Sequence, residues 1–200
     1  MLRHRVMTLE PVTLCGRVVR LEPLGMAHHE GLCEAGLDPE LWRLNTSPVS
    51  TAGDMRKYIE TATLSQSQGT ALPFATVEQA SGRVIGSTRF ANIDVANRRG
   101  EIGWTWIARP WQRTAVNTEA KYLMLKHAFE TLGFIRVELK TDSLNDRSRT
   151  AILRIGAKEE GFFRNHMICD NGRIRHSVYF SIIDSEWPQV KAGLEQKLAI

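Results

Sequence analysis

Two hundred residues, 42% hydrophobic and 24% charged, can bury one substantial core and fit one domain better than two. Lys and Arg total 26 against 22 Asp and Glu; the resulting +4 is spread along the chain, which suits an anionic ligand and gives no nucleic-acid footprint. Cys15, Cys33 and Cys169 lack metal-type spacing, the N-terminus lacks an apolar signal core, and no apolar run approaches the roughly eighteen residues that span a bilayer, so a reducing, cytoplasmic setting without a metal or membrane partner is expected.

Residues 17–24 alternate polar and apolar as a strand stopped by Pro23. Residues 26–36 read as a helix. A second helix starts at Thr51 or Asp54, beside the capping types Ser50, Thr51 and Asp54. It runs through Met55, Tyr58, Ile59, Ala62 and Leu64 into a turn-rich break at 65–69. Strands follow at 72–78 and 83–93, joined by Ala80-Ser81-Gly82 as a hairpin turn.

The polar bend 97–100 leads to a strand over 101–108, then to a short turn, residues 109–116. A long amphipathic helix opens at Asn117-Thr118-Glu119-Ala120 and stops at Gly133. Its apolar stripe is Ala120, Leu123, Met124, Ala128, Phe129 and Leu132, with Lys121, Lys126 and Glu130 off the stripe. A strand feeding a helix through a polar turn leaves amide donors at the positive end of the helix dipole. That junction suits a phosphate or pyrophosphate.

A strand over 134–141, a short helix over 146–155, strands over 157–163 and 173–183, and a helix from about Ser185 towards Lys197 complete the chain. The order implies one α+β domain, with a mixed, mostly antiparallel sheet of about six to seven strands and helices on both faces.

Residues 82–90 and 101–107 resemble the third and fourth strands of the GNAT superfamily of acetyl-CoA-dependent N-acetyltransferases. The run Asn117-Thr118-Glu119-Ala120 followed by Leu125, the segment 142–148, and Ile155-Gly156-Ala157 resemble its RimJ/RimL-like branch, which includes ribosomal-protein N-terminal acetyltransferases. The resemblance covers about residues 16–187, leaving 1–15 as an N-terminal extension and 188–200 as a C-terminal helix packed on the domain. It departs at the phosphate loop, where Gln112-Arg113-Thr114-Ala115-Val116-Asn117 lacks the family's glycines. A left-handed Ala115 would cost about 1 kcal/mol or more.

The resemblance implies acetyl-CoA as co-substrate, a primary amine acceptor (peptide or small molecule), and a possible homodimer. Gln112, Arg113, Thr114, Ala115, Val116, Asn117 and Thr118 are the expected diphosphate contacts. The extended main chain at Trp106 and Ile107 would pair with pantetheine amides, and Asn145 and Ser148 would lie beside the cofactor.

Glu101 is the candidate general base: alternation places Glu101, Gly103, Thr105 and Ile107 on one face. The competing role is a solvated ion pair with Arg98 or Arg99. Ser148 is the candidate donor to the departing sulfur, and Asn145 or Asp146 an alternative helix cap. Arg164 and His166 read as a solvated strand face, and Trp42 as a wall of a substrate cleft. A non-catalytic acyl-CoA-binding module is the rival reading. Nucleic-acid binding through Arg3, Arg5, Arg17 and Arg20 lacks a recognisable module.

Overall fold

The computed structural model describes residues 9–200; residues 1–8, with Arg3 and Arg5, lie outside the described residues. Eight strands form one sheet: β1 (Leu14–Cys15), β2 (Val19–Pro23), β3 (Leu72–Glu78), β4 (Val84–Asp94), β5 (Arg99–Ile107), β6 (Arg136–Asp142), β7 (Lys158–Ile168) and β8 (Ile174–Ile183). They are ordered β1-β2-β3-β4-β5-β6-β8-β7. The count exceeds the sequence expectation by β1, a two-residue strand within the stretch read as an extension.

The sheet is antiparallel except where β5 meets β6. Helices α1 (His29–Gly36) and α2 (Ala52–Ser67) cover one face. There Leu32, Met55, Ile59 and Ala62 pack with Trp42 and Trp106. Helices α3 (Ala115–Lys126) and α5 (Trp187–Leu198) cover the other, burying Met124, Leu125 and Leu194 with Phe90, Val137 and Phe180. The short α4 (Asp146–Arg154) adds Ile152 to that second core. Trp42 packs into the α1–α2 core, with Nε1 donating to the Gly36 carbonyl at 2.7 Å, and also lines a small cavity with Pro39, Asn45 and Pro48.

Local chemistry sets the helix ends. Thr51 and Asp54 form a reciprocal capping box at the start of α2. After α3 a π-helical turn, His127–Thr131, carries the chain to Gly133, whose φ of +68° requires the left-handed conformation glycine adopts freely.

The strand β5 carries the main irregularity. Ser87 faces Trp106 and Arg89 faces Gly103, so Trp104 and Thr105 together oppose Thr88 alone. Trp104 takes a φ of +49°. This is a β-bulge, which bends its strand and raises its twist. The parallel pairing with β6 covers only Arg99–Glu101 against Arg136–Glu138. Beyond it β5 keeps only β4 as partner and β6 keeps only β8, and the sheet opens into a cleft.

A buried carboxylate ties α3 to the first hairpin. Glu119 accepts the Arg17, Val18 and Val19 amides at 2.9, 2.7 and 2.7 Å. A Cβ on Gly16 would fall 2.4 Å from that carboxylate, so the close approach needs glycine. Replacing Glu119 by Ala strands three amide donors, and each costs about 1–3 kcal/mol. Urea denaturation should therefore show Glu119→Ala losing roughly 3 kcal/mol or more; a loss under about 1 kcal/mol would show that the carboxylate is not the tie.

Candidate active site

The turn before α3 stands at the mouth of the cleft. Thr114 caps the helix, its hydroxyl accepting the Val116 amide at 3.3 Å. The helix thus begins at Ala115, two residues earlier than the sequence suggested, because Thr114 and not Asn117 supplies the cap. The left-handed residue is Arg113, with φ of +62°; Ala115 is helical and carries no such strain. Arg113, Thr114 and Ala115 are exposed, and the first amides of a helix have no acceptor within it. A cation and outward-facing amides at a helix N-terminus fit a diphosphate.

The neighbouring expected residues divide by role. Gln112 braces the turn, donating to the Ile107 carbonyl at 2.8 Å and accepting from Arg147 of α4 at 2.5 Å. That second bond brings α4 beside the turn. Thr118 is buried, its hydroxyl accepting from Arg154 at 3.1 Å. The Trp106 side chain turns into the α1–α2 core, its ring centroid 5.5 Å from that of Trp42. Its main chain, with that of Ile107, remains on the strand that lost its β6 partner. Asn145 caps α4, accepting the Ser148 amide at 3.0 Å. The Ser148 hydroxyl has no hydrogen-bond partner among the described residues and is half-buried.

Glu101 departs from the reading as a solvated ion pair. It is buried at 2% exposure and pairs with neither Arg98 nor Arg99. Arg99 instead binds Glu138 at 3.0 Å and Asp94 at 3.4 Å. Glu101 Oε2 accepts from Asn92 at 3.0 Å and lies 3.1 Å from the Lys140 ammonium. Oε1 accepts from no donor among the described residues and faces Gly103, where an added Cβ would lie 3.0 Å away.

The expected face, Glu101 with Gly103, Thr105 and Ile107, is corrected by the bulge. One extra residue moves Thr105 and Ile107 to the α3 side and leaves Trp106 on the side of Glu101. Sequence reasoning also missed Asn92 and Lys140, whose strands meet Glu101 only in the fold. His166, read as solvated, tucks against Phe163 and Tyr179 at centroid distances of 5.5 and 5.6 Å. Burial, then the Lys140 and Arg175 cations, push its imidazole below the ordinary value.

On the α3 side, Lys121 is buried at 5% exposure, contrary to its placement off the apolar stripe. Its ammonium donates to Thr105 Oγ1 at 2.6 Å and Thr88 Oγ1 at 3.3 Å. No carboxylate pairs with it among the described residues, and burial lowers its pKa from the ordinary 10.5 to about 7.

A sheet opened by a bulge, beside a helix N-terminus built for a diphosphate, defines the architecture of a coenzyme A-dependent acyltransferase. The family model described as "Acetyltransferase (GNAT) domain" matches residues 19–158, and the chain belongs to that family. It is an acetyltransferase, of a family that draws its acyl group from acetyl-CoA. Over 106 residues it is 35% identical to the Bacillus subtilis (strain 168) protein named "Putative ribosomal N-acetyltransferase YdaF", a match spanning 53% of this chain and 57% of that relative. The RimJ/RimL-like resemblance rests on the same relative.

A crystal structure of a GCN5-related N-acetyltransferase from Brucella melitensis is 33% identical, with a TM-score of 0.87 over 94% of this chain and 85% of that one. Mycobacterium smegmatis RimJ, solved in complex with CoA-disulfide, shares the fold at 22% identity, with a TM-score of 0.77 over 94% of this chain and 92% of its own. Among the described residues no helix is long and apolar enough to cross a membrane.

Lys121 makes stability depend on pH. Its pKa is about 7 folded and 10.5 unfolded, so the unfolded chain binds more protons between those values. Stability therefore rises with pH across that window, by up to about 1.4 kcal/mol per unit for a single group. Urea unfolding at pH 7.0, 8.0 and 9.0 should show the wild type gaining on Lys121→Met at each step. Parallel pH profiles for the two proteins would contradict the assignment.

Proposed function

We propose that the chain acetylates a primary amine by direct attack within a ternary complex, with Glu101 as general base. The observation that carries this is the asymmetry of one carboxylate: Oε2 is held by Asn92 and Lys140, while Oε1 has no partner among the described residues and faces the space over Gly103. A base whose orientation is fixed through one oxygen keeps the other for an incoming proton. The turn from Gln112 to Asn117, with Arg113 adding charge, takes the diphosphate. The edge of β5 facing away from β4 at Trp106 and Ile107 takes the pantetheine amides, as an added strand would.

Acetyl-CoA supplies an activated acyl carbonyl at this place. Glu101 removes one proton from the acceptor ammonium, directly or through one water, so that the nitrogen lone pair forms the new C–N bond as the C–S bond breaks, and the second nitrogen proton passes to the departing thiolate. The Ser148 hydroxyl stands by α4 to donate to the departing sulfur. A thiol pKa near 8.5 makes that assistance modest. Holding both reactants along the cleft supplies much of the remaining rate. The acceptor is a protein N-terminus or a small amine; likeness to a Bacillus subtilis relative named as a ribosomal N-acetyltransferase favours a protein acceptor.

Loss of a general base costs about 10²–10⁴ in rate. Thiol release from acetyl-CoA, followed with a thiol reagent over a panel of amines, should fall by at least about a hundredfold in Glu101→Gln and by less than about tenfold in Ser148→Ala. Unchanged turnover in Glu101→Gln would remove the carboxylate from the reaction.

A further inference from the structure

Arg89 is the one strongly buried cation on the Glu101 side of the sheet for which the described residues provide no acceptor. Its exposure is 4%, and its Nε has no hydrogen-bond partner. The guanidinium carbon lies over two rings, 4.8 Å from the centroid of Tyr58 on α2 and 5.0 Å from that of Trp104 at the bulge. Glu101, beside the same glycine, is held through Oε2 by Asn92 and Lys140 and makes no ion pair with Arg89. Contact with the rings offsets part of the cost of burying a cation, but it satisfies none of the in-plane N–H donors.

Position gives that unpaired cation a use. Arg89 lies directly across from Gly103 in the β4–β5 register. Directly opposed residues of an antiparallel pair project to the same face. Gly103 is also the residue that Glu101 Oε1 overlies. The proposed base and the unpaired guanidinium thus flank one side-chain-free spot, one along the strand and the other across it. With its carbon within 5.0 Å of both ring centroids, the guanidinium offers its fork of donors for bidentate capture of a carboxylate.

We infer that the acceptor is a primary amine that also carries a carboxylate, with Arg89 binding the carboxylate while the amine faces Glu101. The inference rests on the function proposed above, and it names Arg89 as the residue that sets acceptor specificity. Two sources share this chemistry, a free amino acid and an acidic residue at a peptide N-terminus.

The experiment uses matched probes differing in one charge: free amino acids against their carboxamides, and tripeptide amides beginning with Glu against those beginning with Gln. In at least one set the carboxylate member should be acetylated with kcat/KM about tenfold or more higher, as expected for a charge-assisted pair. The set that discriminates identifies the source. In Arg89→Met the ratio should fall to about 1; in Arg89→Lys, which keeps the charge and the fold, it should fall only in part.

The same pairs are also titrated calorimetrically in the presence of CoA, where no transfer occurs. If no amine is acetylated, the proposed reaction fails, yet tighter binding of the carboxylate member, lost in Arg89→Met, would still support the subsite. Equal binding of both members by the wild type, or a preference that survives in Arg89→Met, overturns the inference.

Discussion

One extra residue in β5 governs the site. With Trp104 in the left-handed region, two residues of β5 oppose one of β4, and the strand bends away from β6 after three parallel pairs. The unpaired edge that results would be a liability on an open surface, because it offers free amide and carbonyl groups. Here it lies inside the cleft, next to the N-terminus of α3, where an amide-bearing ligand can complete it. The same bulge turns Trp106 towards α1 and α2 and Thr105 towards Lys121, so each wall of the cleft depends on it.

The charges around the cleft are arranged by burial as much as by pairing. Glu119, the fifth residue of a helix whose N-terminus faces the cleft, accepts three amides and serves the fold. Glu101 is anchored through one oxygen only. Lys121 and Arg89 sit on opposite faces of the bulge, each buried and each without a carboxylate partner among the described residues. Stability alone does not account for such groups, since an unpaired buried charge costs free energy. Strain and unpaired polar groups of this kind collect where a ligand is bound.

Much of the architecture was legible in the chain. Alternation marked the major strands, and the residues of the α2 capping box, Thr51 and Asp54, marked its start. Gly133 marked the end of the helical run. The Asn145 cap was readable because its chemistry is local, whereas the start of α3 was placed two residues late because Thr114 takes the cap. What else failed was non-local. A bulge adds a residue without altering the composition of its strand, so counting by twos put Thr105 and Ile107 on the wrong face. Lys121 follows Ala120 in a helix whose next turns are amphipathic, and only the packing of α3 against Thr88 and Thr105 buries it. The partners of Glu101 come from β4 and β6, nine residues before it and thirty-nine after it in the chain. Arg89, a charge amid small and apolar residues of a central strand, was the visible signal that the reading passed over.

Amide hydrogen exchange, followed with and without coenzyme A, tests the central claim most directly. The account predicts slowed exchange on binding in two short segments far apart in sequence: the bulged end of β5 from Trp104 to Ile107, and the turn with the first helical residues from Arg113 to Asn117. Binding that leaves both segments exchanging at their free rates would contradict it.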